Sequence, residues 1–74
     1  MPKTPVVTSK RLIKMLRSLG FREDHVAGSH FIFHHPQTKK RAVVPRHLKD
    51  LPKGTLMSIL REAGISKEEF GSLL

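Results

Sequence analysis

The stretch that decides the fold runs from His30 to Pro45 and reads HFIFHHPQTKKRAVVP. Its first part is rich in aromatic and β-branched residues, and its last part is a short apolar run. This pattern predicts two antiparallel strands, over 30–35 and 41–44, joined by a polar hairpin loop at 37–40. Pro45 ends the second strand, because proline has no N–H to donate to a sheet ladder.

Side chains alternate between the two faces of a strand, so the first strand of this hairpin divides into two sets. Phe31 and Phe33 share one face, and His30, Ile32 and His34 share the other. We therefore expect the phenyl face to meet the helices and the histidine face to be open.

Upstream of the hairpin, apolar residues follow the spacing of an amphipathic helix. Thr8 is a suitable N-cap, and Gly20 suits the left-handed position that follows a helix. These signals predict a helix over 9–19. The weakly patterned segment 21–26 then predicts a first strand, which ends at the turn around Gly28.

Downstream of the hairpin, a second helix is predicted to begin at 52 or 53 and to close at Gly64. A Ser-x-x-Glu capping box at Ser66 predicts a short helical extension over 66–74. The expected fold class is α+β: an α-β-β-β-α two-layer sandwich with its helices on one face of the sheet. We expect residues 1–74 to form a single domain, in which 1–7 are an unpacked lead-in.

Composition narrows the classes of function. The 74 residues weigh 8.4 kDa and carry a net charge of +8, with a pI near 10.7, which favours polyanionic partners. The chain has no cysteine, which favours a reducing compartment and points to the cytoplasm. It has neither the apolar run of a signal peptide nor the ~20 apolar residues of a membrane span, so no membrane association is expected.

The positive charge is concentrated in two blocks. Residues 1–20 and residues 36–54 each carry a net charge of +5, whereas 21–35 and 55–74 each sum to −1. Either block alone could be a solvated face. The two together favour nucleic acid as the partner.

Five histidines invite a metal interpretation, but their spacing opposes it. On a strand, the Cα atoms of His30 and His34 lie roughly 13 Å apart, and His34 and His35 point to opposite faces. No cysteine or acidic cluster completes a ligand set. We therefore expect neither a metal site nor a cofactor, and we interpret His25 and His35 as ordinary surface residues.

His30 has a distinctive setting, since Gly28 and Ser29 precede it and would let a ligand approach the backbone closely. Imidazole titrates near neutrality, as proton transfer in phosphodiester cleavage requires. Without a nucleophilic cysteine or paired carboxylates, the available nucleophile is a ribose 2′-hydroxyl, with Lys or Arg offsetting phosphate charge. From these residues alone, an exposed structural role for His30 stays open.

The order of several short segments resembles that of the HicA toxin family of bacterial toxin–antitoxin systems. The segments are GSHFIFHHP at 28–36, VPRH at 44–47, DLPKGTL at 50–56, SIL at 58–60 and AGI at 63–65. The resemblance implies a fold like the double-stranded RNA-binding domain and endonuclease activity on mRNA without a metal cofactor. It also implies neutralisation by a HicB antitoxin. The functional histidine of the family corresponds to His30.

Eight further residues are candidates for RNA binding. Gly28 and Ser29 match the family motif and could serve only to shape the turn. His47 could lie near the site or anchor the connection to the second helix, and Lys53 could contact phosphate at the start of that helix. The complete set is Gly28, Ser29, Lys39, Lys40, Arg41, Arg46, His47 and Lys53.

Two rival functions remain at this point. One is a noncatalytic RNA-binding module of the same fold, which would use the basic blocks but would not need His30. The other is an interaction protein whose basic surface serves only an acidic protein partner.

Overall fold

The computed structural model describes residues 7–46 and 50–73, and its elements follow the predicted order. They are α1 (Ser9–Ser18), β1 (Arg22–Ala27), β2 (His30–His34), β3 (Arg41–Pro45), α2 (Lys53–Ala63) and α3 (Lys67–Leu73). The fold is therefore α+β, with the α-β-β-β-α layout of the double-stranded RNA-binding domain and a short third helix. Within the described ranges, no helix is both long and apolar enough to cross a membrane.

The three strands form one antiparallel sheet in the order β1-β2-β3, which places β2 in the centre. His30 lies opposite Ala27 of β1 and Pro45 of β3. The β1–β2 register shifts between Glu23 and His25, where an irregularity interrupts the ladder. Every residue of β1 is exposed, so this edge strand adds little to the core.

The core lies between the phenyl face of β2 and the two longer helices, as predicted. Phe33 is fully buried, and Phe31 packs against the edge of the same cluster. The largest side chains buried with Phe33 are Leu12, Leu16, Leu56 and Val44.

The prediction that the histidine face is open was wrong at Ile32. Its side chain is only 8% exposed, although it points away from the core and between His30 and His34. Ile32 lies on the central strand, with His25 on one side and Val43 on the other, so both flanks of its side chain are occupied. His30, at the end of the strand, stays exposed.

The prediction of an unpacked lead-in over 1–7 was wrong at its last residue, and 1–6 lie outside the described residues. Val7 is 3% exposed and belongs to the core. Its carbonyl oxygen accepts a hydrogen bond from the Leu51 N–H at 2.9 Å. The segment before α1 is thereby joined to the segment before α2.

Both long helices start at the same end of the molecule, which we call the His30 end. The Ser9 hydroxyl donates to the Pro45 carbonyl at 2.7 Å, so α1 begins beside the residue that faces His30. The Val7–Leu51 bond brings the approach to α2 to the same place. At the opposite end, which we call the loop end, the Lys40 side chain lies against Gly64 and His35 bonds Leu19.

His35 is a structural residue, in contrast to the surface role that we predicted for it. Its Nδ1 accepts hydrogen bonds from the N–H groups of Gln37 and Thr38, each at 3.2 Å. Its Nε2 therefore carries the proton and donates to the Leu19 carbonyl at 3.1 Å. The ring also packs edge-on against Phe21, with centroids 5.1 Å apart. His35 thus fastens the hairpin loop to the end of α1.

The contact between His35 and α1 makes Gly20 a sensitive position. Gly20 has a φ of +98°, and a Cβ there would lie 2.8 Å from His35 Nε2. We predict that Gly20→Ala lowers the free energy of unfolding by at least ~1–2 kcal/mol, from backbone strain alone. Thermal unfolding should show a melting temperature lower by about 4–8 °C for each kcal/mol.

Gly71→Ala is the matched control, because Gly71 lies inside α3 and its Cβ would meet open space. This change should leave stability unchanged or raise it slightly, since alanine favours a helix. Equal melting temperatures for the two variants would contradict the role assigned to His35 and Gly20.

Candidate functional site

A groove lies between the histidine face of the sheet and one side of α2. Its volume is about 320 Å³. The sheet contributes His30, Val43 and Pro45, and α2 contributes Thr55, Ser58, Ile59 and Glu62. The groove exists because α2 packs against β3 through Leu56 and its apolar neighbours, which leaves the polar side of the helix facing the sheet edge.

His30 is the exposed imidazole of this groove. It is the first residue of β2 and follows the two-residue turn Gly28–Ser29. Gly28 has a φ of +58°, in the left-handed region, and nothing lies within 4 Å of where its Cβ would be. The Ser29 hydroxyl is 3.5 Å from His30 Nδ1, the long limit of a hydrogen bond. A ligand therefore has free access to both the turn and the ring.

Arg46 is held beside the same turn by three contacts. Its backbone N–H donates to the Ser29 carbonyl at 2.8 Å, and its guanidinium Nη1 donates to the Gly28 carbonyl at 3.4 Å. Its Cζ also lies 5.4 Å from the centre of the Phe31 ring, within the range of a cation–π contact. The guanidinium is exposed, so it carries a fixed positive charge next to the segment that positions His30.

Three α2 residues in the groove were not predicted as site residues. Thr55, Ser58 and Glu62 are spaced i, i+3 and i+7, which places them on one face of the helix. Among the residues that the structure describes, the Thr55 and Ser58 side chains have no hydrogen-bond partner. In the sequence these three residues form a polar stripe beside the apolar stripe of Leu56 and Leu60. Because most surface helices have such an exposed polar stripe, the pattern does not identify a site.

Helix α1 carries a positive face of its own, which runs from the His30 end toward the loop end. Four cations are exposed on its outer face, and the helix contains no acidic residue: Lys10, Arg11, Lys14 and Arg17. Lys10 and Arg11 at the start of the helix oppose its macrodipole, and Lys10 and Lys14, one turn apart, repel each other, so these charges do not stabilise the helix. Arg17 makes an exposed ion pair with Glu23 at 3.7 Å, which contributes little.

The structure separates the predicted RNA-binding residues into two groups. Gly28, Ser29 and Arg46 lie beside His30, and Lys53 is the first residue of α2, at the His30 end. Lys39, Lys40 and Arg41 lie at the loop end, since Arg41 faces His34, roughly 13 Å from His30 along the strand. His47 lies outside the described residues.

Lys40, which we predicted as an RNA-binding residue, makes a structural contact. Its aliphatic chain packs over Gly64, the left-handed residue that closes α2, so a Cβ there would be 3.5 Å from Lys40 Cε. A cation is favourable near the negative end of a helix. Lys40 therefore complements the C-terminal end of α2, whereas the positive ends of the helices lie near His30.

No three histidine or acidic side chains in 7–46 and 50–73 gather closely enough to hold a metal ion. His25 pairs with its neighbour Asp24, with Nδ1 and Oδ2 2.7 Å apart, on the exposed strand β1. His35 is occupied in the structural contacts described above. His30 is therefore the histidine that combines exposure with a place in the groove.

The fold and the groove define a small basic protein with the layout of a double-stranded RNA-binding domain and an accessible histidine. Comparison with known families gives a match to the HicA toxin of bacterial toxin–antitoxin systems over residues 9–65. The match spans α1 to the end of α2, which includes every residue of the groove, and the chain belongs to this family: it is a toxin of a toxin–antitoxin pair. No curated protein matches the chain.

Proposed function

We propose that this toxin is an endoribonuclease that cleaves mRNA in the cytoplasm, with His30 as a general acid or base and without a metal cofactor. The observation that carries the proposal is the position of His30. Its exposed ring lines a groove of about 320 Å³, at the end of the molecule where both long helices begin. Helix N-termini attract anions, so a phosphodiester is favoured where the imidazole is available.

The proposed reaction takes its nucleophile from the RNA. The ribose 2′-oxygen forms a bond to the adjacent phosphorus and loses its proton, and the bond from phosphorus to the 5′-oxygen breaks as that oxygen gains a proton. The products are a 2′,3′-cyclic phosphate and a 5′-hydroxyl. His30 accepts the first proton or supplies the second, a contribution of ~10²–10⁴ in rate for one positioned group.

Nearby groups of this chain are suited to hold the phosphate. Arg46 is fixed at the turn before His30, and Thr55 and Ser58 line the same groove as the ring. Lys53 adds charge at the first turn of α2. Such groups stabilise the negative charge that builds up on phosphorus during the reaction.

The remaining candidates extend the proposed RNA contact beyond the groove. Gly28 and Ser29 keep the backbone next to His30 open, and His47 follows Arg46 along the chain. We propose that Lys39, Lys40 and Arg41 contact the RNA backbone at the loop end, away from the bond that is cleaved.

The first test is the substitution His30→Ala. We predict that it slows cleavage of a defined RNA by ~10²–10⁴-fold and leaves RNA affinity within about a factor of two, because the ring acts in proton transfer. The wild-type rate should be the same with and without a chelator. Gel-resolved cleavage and fluorescence anisotropy, on the same RNA, measure the two quantities.

The outcomes separate the three functions. A His30→Ala protein that still cleaves RNA contradicts the site assignment. A wild-type protein that binds RNA and never cleaves it, alone or with ribosomes, is a noncatalytic RNA-binding module. A protein that does not bind RNA at low salt is an interaction protein for an acidic partner.

The second test concerns the charges at the His30 end. We predict that the double variant Arg46→Ala, Lys53→Ala weakens RNA binding and lowers the slope of log affinity against log salt by ~1.4, since each lost phosphate contact removes ~0.7 for a single strand. The control is Arg61→Ala, Lys67→Ala, which removes two exposed charges outside the groove. A control slope that falls as far as the test slope would show that only total charge matters.

The third test concerns the partner. We propose that a HicB antitoxin silences the toxin by covering the groove. Hydrogen exchange on the complex should show protection of the first turn of α2 and of the amides of 28–30. Protection confined to the loop end, in a complex that no longer cleaves RNA, would contradict inhibition by occlusion.

A further inference from the structure

The groove changes character along its length. Because α2 begins at the His30 end and ends at the loop end, Thr55 and Ser58 lie on the part of the groove toward His30, and Val43 and Ile59 give the groove an apolar lining. Its far end carries the carboxylate of Glu62, which lies about 10 Å from Thr55 along the axis of α2. This order of hydroxyl, apolar and acidic groups matches the order of a phosphate, the face of a base and the outer edge of that base.

Glu62 is not explained by the stability of its own helix. It lies in the last turn of α2, where the negative end of the macrodipole disfavours an anion. The residues three and four positions away, which could pair with it on the helix surface, are Ser58, Ile59, Ile65 and Ser66, and none is a cation. Within the described residues, its carboxylate has no ion pair or hydrogen bond.

A carboxylate also repels phosphate, so the position directly at Glu62 is unsuited to the RNA backbone. It suits a neutral group with N–H donors. Among the four bases, guanine alone presents two adjacent donors, N1–H and the N2 amino group, to the two oxygens of a carboxylate. Adenine and cytosine each place an acceptor beside their amino group, and uracil has one donor between two acceptors, so each would bring an acceptor against the carboxylate.

We infer that Glu62 is a specificity-determining residue that accepts two hydrogen bonds from a guanine next to the scissile phosphate. The inference rests on the proposed cleavage at His30 and names the substrate preference of that same site. The base lies over Val43 and the small exposed part of Ile59, in a groove whose volume of about 320 Å³ is at the lower end of ligand sites.

The test uses short DNA strands that each contain one ribonucleotide, so that a single bond can be cleaved. Four strands carry G, A, C or U at that ribonucleotide, and a fifth carries inosine, which lacks the N2 amino group. We expect the full-length protein to cleave the G strand with a kcat/KM roughly 5- to 100-fold above the A, C and U strands, with inosine between them.

Glu62→Gln should bring the guanine-to-adenine ratio close to one, since the amide replaces one acceptor with a donor. Glu68→Gln is the matched control: it removes the same charge from an exposed residue of α3, outside the groove, and should keep the ratio of the wild type. The ratio is the decisive quantity, because a loss of fold or a general change of charge alters all five strands together.

A binding measurement separates this inference from the proposed nuclease activity. All-deoxy strands with the same base changes have no 2′-hydroxyl, so they cannot be cleaved by the proposed reaction. Fluorescence anisotropy therefore measures their affinities for the protein directly. A binding preference for guanine that Glu62→Gln abolishes supports the inference, whether or not a ribonucleotide strand is cleaved. A lack of cleavage on every strand overturns the nuclease proposal alone. Cleavage with equal rates for all bases, or a ratio that Glu62→Gln leaves unchanged, overturns the inference alone.

Discussion

The packing of Phe33 against the helices is the constraint on which the rest of the structure depends. Because side chains on a strand alternate, burying Phe33 under α1 and α2 sends His30 to the opposite face of the sheet. A slip of one residue in β2 would expose the phenyl ring and bury the imidazole together. The free energy that fixes the core therefore also fixes the position of the candidate site.

The parallel course of the two helices is the second determinant. Ser9 bonds the end of β3, and Val7 bonds Leu51 ahead of α2, so both helices present their positive ends near His30. Their negative ends lie at the hairpin loop, where Lys40 packs over the end of α2. If one helix ran in the opposite direction, its positive end would lie at the hairpin loop and would no longer contribute near His30.

The sequence predicted the elements and the core well, because those depend on local periodicity. Thr8, Gly20 and Gly64 occupy the cap positions expected of them, and the structure bounds α1 and α2 within one residue of the prediction. The packing of Val7 was missed, since the hydrogen bond from Leu51 joins residues far apart in sequence. The structural contacts of His35 were missed for the same reason.

The candidate site was only partly predictable. His30 and Arg46 belong to recognisable motifs, and Arg46 bonds the Gly28–Ser29 turn directly before His30. Thr55, Ser58 and Glu62 reach the groove only because α2 packs beside β3, and no sequence pattern states which side of a helix faces a sheet edge. The roles of all these residues in RNA chemistry remain predictions.

Ile59 belongs to two places at once: it is part of the core cluster and it lines the groove. The width of the groove is therefore coupled to the interior packing. A larger or smaller side chain at this position would shift α2 relative to β3 and move its hydroxyls with it. Substitutions that repack the core to raise the melting temperature are therefore expected to change the shape of the groove as well. Thermal stability and toxic activity are coupled in this small chain.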